Sequence, residues 1–345
     1  MNAHANLHKR KSSLIADGTN HAAFKVRVQF LCYASMEKIL KQILTHFFVY
    51  YKTSRKETYV DSLERKDDAI ADNDNNEEKA GEEDDASDEK NKPSTRCFSH
   101  GCHLMEGEMN HGMEDYVFAQ HKKLNDYDLG LYAIFDGHSG RDVAKYLQNH
   151  LFENILNEPD FWENPVHAVK KASKTTDEEI LENIADWRGG STAVAAILIN
   201  GVKLIVINVG DSRAISCKNG IAKQLTVDHE PEKEKNLVER RGGFVSKSPG
   251  NVARVDGELA MTRAFGDGKL KEHITAEPDV MIKKIDDDTE FIILASDGLW
   301  KVMTNQEACD CIKDVDDAQK AAKKLVKEAK SMGSYDDISC IVVMF

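Results

Sequence analysis

The chain has no run of about 18 consecutive apolar residues, which excludes a membrane-spanning helix. The nearest approach, residues 28–51, is broken by Glu37, Lys38 and Lys41. An apolar signal core near the start is also missing, and the seven cysteines contain no CxxC pair. An odd, scattered set of that kind fits a reduced compartment, cytoplasm or nucleus, better than a disulfide framework. No His/Cys grouping has the spacing of a zinc site. Positive charge is short as well: a net charge of −13 argues against a nucleic-acid binder. No internal repeat is visible. What remains is 345 residues at 41% hydrophobic, enough for a sizeable core.

The charge is unevenly spread. Residues 1–66 carry twelve Lys/Arg against five Asp/Glu, and residues 67–90 carry twelve acids against Lys79 and Lys90. Three segments follow: a basic N-terminal extension of unknown role over 1–66, a disordered acidic linker over 67–94, and a folded domain over 95–345. The linker has too few apolar residues to offset the entropy of ordering it. Within the extension, Lys9-Arg10-Lys11 is a weak nuclear-import pattern and Met36 is a candidate internal start. Ile39, Leu40, Ile43, Leu44, Phe47 and Phe48 are spaced for an amphipathic helix.

In the folded part, apolar runs at 131–135, 193–199, 203–209, 213–217, 291–295 and 338–344 have strand character. Asn200-Gly201 and Asn219-Gly220 suit the positive φ angles of type I′ hairpin turns. Consecutive hairpins mean antiparallel pairing and argue against a doubly wound parallel sheet. Val143, Leu147, Leu151 and Ile155 share a helix face, as do Ala322, Leu325, Val326 and Ala329. The pattern predicts a layered α/β sandwich with two central antiparallel sheets flanked by pairs of helices.

Acidic residues sit where these runs stop. The first run ends in Asp136-Gly137-His138-Ser139-Gly140, the third in Gly210-Asp211-Ser212-Arg213, and the fifth in Ser296-Asp297-Gly298. Glu114-Asp115 and Asp336-Asp337 each precede an apolar run. Asp-Gly occurs five times, and each one alone reads as a turn. Taken together, carboxylates at strand ends can converge on one sheet edge, where they cannot all stay ionised unless cations hold them. Oxygen ligands select hard ions such as Mg²⁺ or Mn²⁺, and a pair of them would clamp a displacement at phosphorus.

These residues, in order, resemble the metal-dependent type 2C serine/threonine protein phosphatases in a plant-like form. The landmarks run from Met113-Glu114-Asp115 through Phe135-Asp136-Gly137-His138-Ser139-Gly140, Gly189-Gly190-Ser191-Thr192-Ala193 and Gly210-Asp211-Ser212-Arg213-Ala214. They continue with Asp228-His229-Glu230-Pro231, Arg240-Arg241-Gly242-Gly243, Arg263-Ala264-Phe265-Gly266-Asp267 and Glu277-Pro278-Asp279. Ser296-Asp297-Gly298-Leu299-Trp300 and Asp336-Asp337-Ile338-Ser339 close the series. The resemblance covers residues 101–345 and implies a phosphatase catalytic domain with two Mg²⁺ or Mn²⁺ ions. It implies that Asp136 bridges the two, with the Gly137 carbonyl on the first and Asp297 and Asp336 on the second. Glu114, Asp115 and Asp211 would act partly through bound water. His138 would protonate the leaving serine or threonine oxygen. A metal-bridging hydroxide would attack phosphorus directly, without a covalent phospho-enzyme. Phosphorylated proteins are the implied substrates, for a monomer without nucleic-acid partners.

Three positions depart from the family pattern. Asn110 stands where members commonly carry the arginine that faces the substrate phosphate, with His111 beside it. Lys301 replaces an acid associated with a weaker third metal. The segment at 244–259 lacks the tryptophan of the hormone-coreceptor subgroup. Asn110 and Lys301 keep an alternative open, a pseudophosphatase acting as a phosphoprotein-binding module.

Overall fold

The computed structural model describes residues 95–184 and 188–345. The basic extension, its candidate helix and the acidic linker lie outside the described residues.

Two antiparallel sheets form the centre. The first has five strands in the order β1 (Ser99–Met105), β14 (Ile338–Met344), β13 (Thr289–Ala295), β7 (Arg213–Lys218) and β8 (Ile221–Gln224). The second has seven. β3 (Tyr127–His138) pairs on one side with β2 (Asp115–Leu124) and on the other with β4 (Gly190–Ser191) and β5 (Ala193–Ile199). β6 (Lys203–Val209) and β12 (Asp279–Lys284) extend it beyond β5, and β11 (Phe265–Gly266) extends it beyond β4. The hairpin turns are those read from the sequence: Asn200 and Gly201 have φ of 54° and 68°, and Asn219 and Gly220 have 50° and 72°.

The central strands β3, β5, β6, β13 and β14 are apolar on both faces because both faces are covered. Along β3, Leu131, Ala133 and Phe135 pack with α1 (Asp142–Leu156) and α2 (Pro165–Asn183), while Tyr132 and Ile134 face the other sheet. Ile292 and Leu294 of β13 and Ile341 and Val343 of β14 meet them there. The alternate residues of β13 and β14, among them Ile293, Ala295, Cys340 and Val342, pack beneath α4 (Asp297–Trp300), α5 (Asn305–Ile312) and α6 (Ala318–Ser331). Each fully buried Leu, Ile or Val contributes about 1.5–3 kcal/mol by leaving water.

Helix ends follow local chemistry. Thr304 and Glu307 close a capping box on α5, Asp317 accepts from the Lys320 amide to start α6, and Asn164 with Pro165 starts α2. A two-stranded hairpin, β9 (Val245–Ser246) with β10 (Arg254–Val255), stands apart from the sandwich. The short helix α3 (Lys235–Arg240) supplies Val238 to a small cluster of its own with Val255, Leu259 and Ile274. No described helix is long and apolar enough to cross a membrane, and the six described cysteines are free.

The carboxylates do not all lie beyond strand ends. β3 continues through Asp136 to His138, and Asp297 is the first residue of α4 rather than part of a turn.

Candidate active site

The last residues of β3, the first of β2 and the connections around β13 and β14 meet at one end of the sandwich. Asp115 and Asp136 are directly opposite each other in the β2–β3 ladder. Thr192 fixes the backbone on which Asp136 sits: its amide donates to the Asp136 carbonyl at 2.9 Å, and its hydroxyl accepts from the Asp136 amide at 3.3 Å. From the other sheet, the Ser339 hydroxyl donates to Asp115 Oδ2 at 2.6 Å, and the Ser339 amide donates to Ser296 Oγ at 2.9 Å. These bonds tie Asp115 to the segments that carry Asp297 and Asp336.

The grouping shows in the proton affinities. Burial, then repulsion from Asp115, Asp297, Asp211 and Asp336, pushes the Asp136 carboxyl well above the ordinary 3.8. Burial likewise pushes Asp115 up to about 7, although its serine hydrogen bonds pull the other way. Asp211 is also pushed up to about 7, by burial and then by Asp297, against the attraction of Lys301. Asp115 Oδ1 and Asp211 Oδ1 are buried without a hydrogen-bond partner. An all-oxygen, anionic donor set with orphaned oxygens fits a hard divalent cation. Among the described residues, no three His, Cys, Asp or Glu side chains already close on one point as a finished metal cage. The ammonium of Lys301 spans two of these carboxylates instead, 2.6 Å from Asp297 Oδ2 and 2.8 Å from Asp336 Oδ2.

His138 stands beside the carboxylates and is held by Asp267, whose two oxygens lie 3.0 and 2.9 Å from Nε2. Burial opposes its charge, but the Asp267 hydrogen bond and the attraction of Asp267, Asp211 and Glu114 outweigh it and raise its pKa. The pair needs Gly190 in the ladder opposite His138. A Cβ there would come within 2.1 Å of Asp267 Oδ2 and 2.5 Å of His138 Nε2, so no larger residue fits without moving them.

The loop from β1 to β2 closes one side. Asp337 accepts from the Gly107 amide at 2.8 Å and from the Glu114 amide at 2.7 Å, and Glu114 Oε1 accepts from the Gly140 amide at 2.7 Å. Asn110 lies exposed in a turn of this loop. His111 is exposed as well; its Nδ1 donates to the Gly112 carbonyl at 2.8 Å and lies 3.6 Å from Glu114.

Asp267 and Asp337 hold the surrounding residues in place, yet motif reading gave neither of them a role. Both stood in landmark motifs, Asp267 at the end of Arg-Ala-Phe-Gly-Asp and Asp337 within Asp336-Asp337-Ile338-Ser339. Other landmark residues serve the scaffold. Arg213 pairs with Asp228 and stacks its guanidinium over Trp300, and Arg263 joins Glu234 to Asp279. His229 is buried, accepts from the Gly210 amide at 3.0 Å and lies 3.2 Å from Asp279.

The family model described as protein phosphatase 2C matches residues 95–338. A probable protein phosphatase 2C of Arabidopsis thaliana is 62% identical over 251 residues, covering 72% of this chain and 74% of its own. One from Oryza sativa subsp. japonica is 57% identical, covering 74% and 90%. A serine-threonine phosphatase 2C structure from Toxoplasma gondii shares the fold at a TM-score of 0.62 and 23% identity, covering 73% of this chain and 96% of that one.

Proposed function

Because the chain belongs to the protein phosphatase 2C family, we propose that its carboxylate recess hydrolyses phosphoserine and phosphothreonine in proteins directly, with no covalent phospho-enzyme. The observation that carries this reading is the packing of Asp115, Asp136, Asp211, Asp297 and Asp336 so closely that burial and mutual repulsion raise the Asp136 pKa. Such a group calls for external cations. Asp136 would bridge two Mg²⁺ or Mn²⁺ ions, with the Gly137 carbonyl on one and Asp297 and Asp336 on the other. Glu114, Asp115 and Asp211 would reach them through water. Two bound ions supply a nucleophilic water at neutral pH and offset the charge of the phosphate.

The protein groups do the remaining work. His138 donates a proton to the departing serine or threonine oxygen. With Nε2 engaged by Asp267, the proton to be delivered sits on Nδ1. Asp267 holds the ring in register and favours its charged form. Residues 95–345 form the catalytic domain, and the protein works as a monomer on phosphoproteins in the cytoplasm or nucleus.

A binding module that has lost catalysis is the second reading, favoured by the Lys301 ammonium between Asp297 and Asp336. Turnover of a phosphoserine peptide separates the two. Both the full chain and residues 95–345 are expected to hydrolyse it with added Mn²⁺ and to stop in EDTA. No turnover by the full chain at saturating Mn²⁺ would leave the binding module standing. A large loss on removing 1–94 would move the domain boundary.

Asn110 gives a further expectation. A guanidinium holds a phosphate dianion through paired charge-assisted hydrogen bonds that asparagine cannot match. One such bond contributes about 1.5–3 kcal/mol, roughly tenfold or more in affinity. Asn110→Arg is expected to lower KM and strengthen inhibition by free phosphate, with a smaller effect on kcat. Michaelis–Menten comparison at saturating Mn²⁺ measures this; unchanged KM and unchanged inhibition would show that Asn110 does not face the phosphate.

A further inference from the structure

We propose that Lys301 is a tethered cation that competes with divalent ions for the carboxylates of Asp297 and Asp336, an inference that rests on reading this recess as a metal centre. Asp297 opens α4 and Lys301 follows its last residue, so the i, i+4 spacing puts both side chains on one face. Asp336 is brought alongside by the pairing of β13 with β14. The ammonium reaches one Oδ2 at 2.6 Å and the other at 2.8 Å, so it engages oxygens that an arriving ion would need.

Two further cationic groups among the described residues are committed elsewhere: Arg213 is held by Asp228 and by Asn305 at 2.8 Å, and His138 by Asp267. A divalent ion and an ammonium repel each other strongly when they share two carboxylates. Entry of the ion therefore requires the lysine to swing out. Its side chain is 55% exposed, which leaves room for that swing once the ion takes over the two carboxylates. Lys301 would thus neutralise part of the cluster before an ion arrives and be released when it binds. The lysine stabilises the ion-free protein at the expense of ion affinity.

The test uses the full chain with Lys301→Met, which removes the charge at similar length, and Lys301→Arg, which keeps it. Mn²⁺ binding is followed by titration calorimetry, and melting is followed in EDTA and in saturating Mn²⁺. Lys301→Met is expected to bind Mn²⁺ about tenfold more tightly, the size of one charge-assisted hydrogen bond. In EDTA it should melt about 3 °C or more below wild type, with the gap closing in Mn²⁺, and Lys301→Arg should stay near wild type in EDTA. A lysine with only a packing role would lower melting in both conditions without tightening the metal. Mn²⁺ binding that is unchanged or weaker in Lys301→Met would overturn the competition alone. Failure of the wild type and both variants to bind Mn²⁺ would bring down the metal-centre reading and the competition with it.

Discussion

Asp136→Asn is expected to drop turnover of a phosphoserine peptide to below about a thousandth of wild type at saturating Mn²⁺, more than the loss of a single oxyanion donor costs. Asn keeps the shape and one oxygen but removes the charge that the proposed function assigns to holding two ions. The fold should be spared, and the direction follows from proton linkage. In the folded protein the Asp136 carboxyl binds its proton more tightly than the ordinary value of 3.8 allows. The folded state therefore loses stability relative to the unfolded chain as pH rises from 3.8 toward the raised value. Asparagine is neutral throughout and escapes that penalty. In EDTA at neutral pH the variant should melt no lower than wild type, and any advantage should vanish in acid below 3.8. Activity above about a tenth of wild type would remove Asp136 from the bridging role, since even one donor's loss typically costs more.

His138→Ala should separate substrates by their leaving groups. A positioned general acid contributes about 10²- to 10⁴-fold, most where the departing oxygen is a strong base. Serine alkoxide is such a base and phenolates are far weaker. The variant should lose most of its kcat on a phosphoserine peptide and much less on an aryl phosphate. Parallel losses on both substrates would mean that the ring only supports the structure around Asp267 and Gly190.

Six strands of the sandwich, β3, β5, β6, β7, β13 and β14, could be read from the sequence because their apolar runs are continuous and two of the turns that follow them are chemically marked. β1 escaped that reading: Ser-His-Gly-Cys-His-Leu-Met is mostly half-exposed, so it carries neither an apolar run nor a clean alternation. α2 escaped for a different reason. Several of its buried positions are Ala168, Ala172, Ser173, Thr176 and Asp177, small or polar residues that the fold buries while a hydropathy pattern passes over them. Asp177 is buried because it accepts from the Gly266 amide at 2.8 Å and from Lys271 at 3.0 Å. Its partners lie about ninety residues away. The site divides in the same manner. Carboxylates beside glycines at strand ends are local signals, and they brought Asp136, Asp211 and Asp297 to notice. The pairing of His138 with Asp267 exists only once β3, β4 and β11 have assembled in one sheet, and the clasp of Asp337 on Gly107 and Glu114 only once β14 lies beside β1 and the β1–β2 loop has folded over it. No spacing along the chain records them.

The position of β14 has a consequence for folding. β1 and β13 stand far apart in the sequence and are joined only through β14, which lies between them. Until β14 docks, both present open edges able to template pairing with another molecule. The same docking brings Ser339 to Asp115. Loss of this one strand therefore opens two edges and dismantles part of the carboxylate recess in a single event.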